Sequence, residues 1–140
     1  MRPSAKIAAT LMLPIALAAC AASDDTKPIT FTDDRGVSNQ PFPQNYRAEV
    51  SAFLRTYLNN PAGIREPVIA EPVQRVIGGR LRYVVCVRFA ARESDGSYRD
   101  PRERAALFVD GRFDRILENP AEPCAGAVYT PFPALSALTR

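Results

Sequence analysis

From Tyr46 onward the apolar residues fall at Tyr46, Val50, Phe53, Leu54, Tyr57 and Leu58, intervals that place them on one face of an α-helix. Asn45 stands where an N-cap belongs, with Glu49 in or beside the first turn and Arg55 nearer the end, as the helix dipole favours. Asn59-Asn60-Pro61-Ala62-Gly63 stops the helix. At this spacing both tyrosines are expected in the core with only their polar tips free. The period then changes to two. Val68 to Ile77 is β-branched but broken by Pro72, which suits an edge strand or a bulge, and Gly78-Gly79 makes a tight hairpin turn. From Arg80 to Arg92 the alternation sends Leu81, Tyr83, Val85, Val87 and Phe89 to one face, toward the helix, and Arg80, Arg82, Val84, Cys86 and Arg88 to the other. Glu93 to Glu103 is a polar loop. A second hairpin joins Ala105–Val109 to Arg112–Leu117 through Asp110-Gly111, a type I′ signal, and sets Phe108 opposite Phe113. The economical architecture is α+β: one N-terminal helix packed on a four-stranded antiparallel sheet.

Cys86 falls on the face turned away from the helix, so a partner must reach that side. Cys124 can, because it sits in the proline-rich tail ENPAEPCAGAVYTPFPALSAL. The tail's apolar residues Ala125, Val128, Tyr129, Phe132, Leu135 and Leu138 are expected to lie across the second face, pinned by a Cys86–Cys124 disulfide. A loop of just under forty residues closed in this way stabilises by about 4 kcal/mol on the chain-entropy model. The pair lacks the C-x-x-C spacing of redox centres and has no histidine beside it for a metal.

The segment before the helix is different in kind. Residues 21–44, AASDDTKPITFTDDRGVSNQPFPQ, show neither period and read as a tether, with Ile29-Thr30-Phe31-Thr32 as a further edge-strand candidate. Upstream, Arg2 and Lys6 precede an apolar run of roughly ten residues, h-region length and too short to span a bilayer. Leu17-Ala18-Ala19-Cys20 follows directly. This run resembles the lipobox of bacterial lipoproteins, in which the cysteine receives a diacylglycerol, the signal is cut before it and the new N-terminus is acylated, commonly with palmitate. The resemblance implies a signal peptide at 1–19, a lipidated Cys20 with its tether at 20–44, and a globular domain at 45–140. It also implies a membrane anchor through Cys20 on a surface of the cell envelope facing the periplasm, and Ala21 after the cysteine is similar to an outer-membrane address. Pairing Cys86 with Cys124 leaves Cys20 as the odd thiol, which acylation explains. Ala16-Leu17-Ala18 and Ala19-Cys20-Ala21 offer an ordinary signal-peptidase site instead, and the product would then be an unlipidated secreted protein. The helix, the segment Leu58-Asn59-Asn60-Pro61-Ala62-Gly63-Ile64 and the strand holding Val85-Cys86-Val87 together resemble small envelope lipoproteins of unassigned function.

Charge and composition then narrow the chemistry. The chain carries a net charge of +3, and removal of Arg2 and Lys6 with the signal lowers it to about +1, too little for general nucleic-acid binding. The chain contains no histidine, so there is no Ser-His or Cys-His pair and no common zinc site. No catalytic residue, metal ligand or small-molecule cofactor is expected, and the chain is read as no enzyme. Carboxylates at Glu93, Asp95, Asp100, Glu103, Asp110 and Asp114 suit a solvated loop and turn. Two constellations remain as a candidate binding surface. Arg75, Arg82 and Arg88, with Arg80 nearby, line the outer sheet face, where they can meet lipid phosphate, cell-wall carboxylates or a protein, or form ion pairs with Asp114 or the tail. The loop from Glu93 to Arg104 carries Tyr98 among Arg99, Arg102 and Arg104. The function expected is a non-enzymatic binding or structural accessory in the cell envelope, with an envelope protein or the cell wall as partner. The alternative is a periplasmic inhibitor of a wall-degrading enzyme.

Overall fold

The computed structural model describes residues 40–139, so Cys20, the signal segment and the Ile29–Thr32 patch lie outside the described residues. Helix α1 (Tyr46–Tyr57) is followed by strands β1 (Arg65–Ala70), β2 (Val73–Ile77), β3 (Arg80–Ala90), β4 (Arg102–Val109), β5 (Arg112–Leu117) and β6 (Tyr129–Pro131), and by the single turn α2 (Pro133–Ser136). One N-terminal helix on four strands is thus replaced by a six-stranded antiparallel sheet with a short second helix. Two strands were added for different reasons. The β-branched run before the glycine turn is two strands end to end: β1 pairs with Val87–Ala90 of β3 and β2 with Arg80–Val84. Pro72, buried at the break, has no N–H to give the ladder. The other addition, β6, comes from the tail and pairs with β1 at Ile69↔Thr130. The order is β5-β4-β3-β1-β6, with β2 also on β3.

Alternation along β3 builds two cores. Val85, Val87 and Phe89, with Tyr83 beside them, join Val50 and Leu54 of α1 and Ala106 and Phe108 of β4 on the inner face. Val84 and Cys86 join Ala105, Leu107, Ala70 and Cys124 on the outer face. Phe108 and Phe113 stand opposite each other, their rings edge to face at 5.9 Å, although the ladder slips by a bulge between Leu107 and Phe108. Both two-residue turns use positive φ, Gly78-Gly79 at +58° and +77° and Asp110 at +50°, as type I′ geometry requires. Leu81 is half-buried and outside either cluster.

Around α1 several sequence expectations change. Asn45 occupies the N-cap position but its side chain makes no cap hydrogen bond. Glu49 stands in the first turn as expected, and its carboxylate also reaches the sheet: it accepts the Phe113 N–H at 2.6 Å and pairs with the Arg112 Nε at 2.8 Å, capping a donor of edge strand β5. Tyr46 is buried, whereas Tyr57 is 57% exposed and stacks on Phe53. Residues 40–44, read as tether, pack onto the domain. Gln40 accepts the Asp110 N–H at 2.8 Å, Phe42 lies edge-on to Tyr46 and Tyr83, and Pro43 is buried.

Gly63, just past the helix stop, has φ +73°, and a Cβ there would sit 2.9 Å from the Tyr98 hydroxyl. That hydroxyl donates to the Gly63 carbonyl at 2.6 Å. Gly63→Ala is therefore expected to destabilise the fold by about 1–3 kcal/mol, through left-handed strain and displacement of Tyr98. Tyr98→Phe, which loses only the hydrogen bond, should cost about 1 kcal/mol. Urea unfolding of the two variants checks the order.

Candidate binding surface

After β5 the chain leaves the sheet edge and crosses the outer face before joining the far edge as β6. The crossing is held at its midpoint by the Cys86–Cys124 disulfide, with Cα atoms 5.8 Å apart. Ala105, directly opposite Cys86, leaves room for the strap. The tail does not keep to one face, as the sequence suggested. Ala127 and Tyr129 pack on the outer cluster, Ala125 and Val128 are exposed, and Phe132, Leu135 and Leu138 turn under the other side into the inner core. The strap divides the outer face in two.

That division separates the arginines. Arg75 and Arg82 are opposite each other in the β2–β3 hairpin, at one end of the face. Arg75 donates from Nε to the Pro123 carbonyl at 3.2 Å and from Nη2 to the Ala125 carbonyl at 3.3 Å, so it ties down the strap. Arg82 is 8% exposed and donates to the Leu81 carbonyl. Beside Arg75 opens a cleft of about 670 Å³, walled by Ile77, Arg115, Leu117, Glu122 and Pro123. Asp114, the other partner considered for these arginines, pairs with Arg115 at 2.7 Å.

Arg88 lies at the opposite end, exposed, with its guanidinium 4.9 Å from the Tyr129 ring centre. The Tyr129 hydroxyl donates to the Glu103 carboxylate, and Glu103 is the cross-strand neighbour of Arg88. Nothing in the sequence pattern joined these three residues, which are 41 positions apart at their extremes and meet only because β6 returns. Burial, and then the hydrogen bond to Glu103, raise the Tyr129 pKa above its ordinary value near 10. The folded protein therefore keeps a proton that the unfolded chain surrenders, and the associated stability, complete below about pH 10, is lost as the pH rises beyond it. Tyr129→Phe should flatten that loss: between about pH 9 and 11 the denaturation midpoint of the wild type should fall more steeply than that of the variant.

Tyr98 and Arg99 are in the β3–β4 loop, but Arg102 and Arg104 are the first residues of β4 and not loop residues. Tyr98 forms a bridge with Arg92, and the Arg65 guanidinium lies 3.8 Å above its ring. Arg99 pairs with Glu93 at 3.5 Å. Asp95 accepts from both the N–H and the hydroxyl of Ser97, and the hydroxyl bond first of all lowers its pKa. The five arginine and tyrosine positions singled out thus occupy three separate places: the Arg75–Arg82 end, the Arg88 end and the Tyr98–Arg99 loop.

Among the described residues no helix is long and apolar enough to cross a membrane, and no group of three or more histidine, cysteine or acidic side chains is arranged to hold a metal ion. Comparison of the chain with protein-family models, curated proteins and solved structures gives no match.

Proposed function

We propose that the protein is anchored in the cell envelope by a lipid on Cys20 and that its domain serves there as a non-enzymatic binding accessory. The observation that carries this reading is the run Leu17-Ala18-Ala19-Cys20 behind a basic start and a short apolar segment. The Cys86–Cys124 bond supports it, because the two body cysteines account for each other and leave Cys20 as the unmatched thiol. Disulfide formation also fits an oxidising compartment. A domain with a surface cleft beside a strap fixed by a covalent bond suits recognition by a preformed surface.

Intact-mass analysis of membrane and soluble fractions tests the anchor. The wild-type chain should be recovered from membranes with the added mass of its acyl groups, and Cys20→Ser should shift to the soluble fraction without them. An unlipidated chain that remains in the membrane fraction would overturn the reading. Mild cross-linking then separates the roles: an envelope assembly protein or cell-wall fragment supports an accessory, and a captured wall hydrolase supports an inhibitor.

A further inference from the structure

Where the carboxyl end of α1 meets the start of the β3–β4 loop, a cleft of about 390 Å³ is walled by Leu58, Asn60, Ala91, Arg92, Glu93 and Arg104. Two arginines line it. Arg104 stands opposite Val87 on the inner face of the sheet, half-buried, with its guanidinium 4.2 Å from the centre of the Phe89 ring. Among the described residues its one hydrogen bond runs from Nη1 to the Arg102 carbonyl at 3.3 Å, which engages one of the guanidinium's five donors. Burial disfavours its charged form, nearby Tyr57 partly offsets this, and Arg102 adds repulsion.

Among the described residues no carboxylate forms an ion pair with Arg92 or Arg104; Glu93, in the same wall, is held by Arg99. Asn60 uses its carbonyl oxygen to accept the Ala62 N–H at 3.2 Å, so its amide N–H groups are left to donate. Cations here are tolerated because the last carbonyls of α1 carry the negative end of the helix dipole and because the Phe89 ring faces Arg104. Tolerance is not neutralisation, and a half-buried guanidinium that no carboxylate among the described residues pairs with is poised to receive one.

We propose that this cleft binds a carboxylate group of a partner molecule, with Arg104 and Arg92 as charged donors and Asn60 as a neutral one. Planar guanidinium forks match carboxylate and phosphate alike. The choice falls on the monoanion because the Glu93 carboxylate and the end of α1 both repel a phosphate dianion more strongly. The assignment deepens the accessory reading by naming the chemistry of the partner, and rests on that reading only for where the partner is met. A small carboxylate in solution reports on the cleft whether or not Cys20 is acylated.

The full chain, purified in detergent, is titrated with sodium acetate, inorganic phosphate or sodium chloride at matched ionic strength, following the arginine Nε–H signals by NMR. Acetate should shift the Arg92 and Arg104 signals saturably at roughly millimolar concentration. Arg104→Gln and the surface change Arg92→Gln should each weaken the effect at least fivefold, and Arg115→Gln, in β5, should leave it unchanged. Shifts that match those of chloride, or that survive both Arg92→Gln and Arg104→Gln, would overturn the site. Tighter binding of phosphate than of acetate would overturn the carboxylate assignment.

Discussion

Replacing Cys86 and Cys124 together by alanine should lower the unfolding free energy by about 4 kcal/mol, the chain-entropy value for two residues 38 positions apart. In a domain of about 100 residues that corresponds to a fall in melting temperature of roughly 15–30 °C, a large fraction of the total stability. The double variant is the right comparison because a single replacement leaves a buried thiol without its partner. Thermal unfolding of the wild type in reductant should reproduce the double variant. A loss below about 1 kcal/mol would mean that the strap is held by its other ties, Arg75 to Pro123 and Ala125, and Tyr129 to Glu103.

Phe108→Ala should cost about 3–5 kcal/mol in urea unfolding, in the range for removing a buried aromatic ring. The ring is wholly buried between Val85, Leu54 and the other inner-face residues and packs edge to face with Phe113. Phe113 also stacks on Phe53 of α1 at 4.5 Å, so the three rings run in a series from β4 through β5 to the helix. Phe113→Ala, at a half-buried position on the edge strand, should cost distinctly less. Equal losses at the two sites would show that the Phe53–Phe113 stack, and not the buried ring, holds β5 to the helix.

Legibility in the sequence followed how local each interaction is. The alternation of β3 separated inner from outer residues because a strand's period is fixed by its own backbone, and Val85, Val87 and Phe89 against Val84 and Cys86 bear that out. The Asp110-Gly111 turn set the Phe108–Phe113 register for the same reason. Strand β6 carried no such signal. It is three residues long, ends in Pro131, and exists because β1 offers it an edge about sixty residues away. The candidate surface failed to assemble for a related reason. Sequence placed Arg75, Arg82 and Arg88 on one face correctly in direction, but the chain that would run between them was visible only as a proline-rich tail. What Arg75 meets in the strap is a pair of backbone carbonyls, which no residue pattern announces. Glu49 is the first-turn acid the sequence suggested, but that it also caps the backbone of β5 could not be read from the pattern.

The passage of the strap over one face and under the other gives the last residues of the chain an outsized share in finishing the molecule. Until Cys124 to Leu138 are in place, the outer cluster lies open, β1 has a bare edge, and the inner core lacks Phe132, Leu135 and Leu138. A product clipped or arrested soon after Leu117 would therefore expose both faces of its sheet at once, making it a substrate for proteolysis and aggregation and not a smaller working domain.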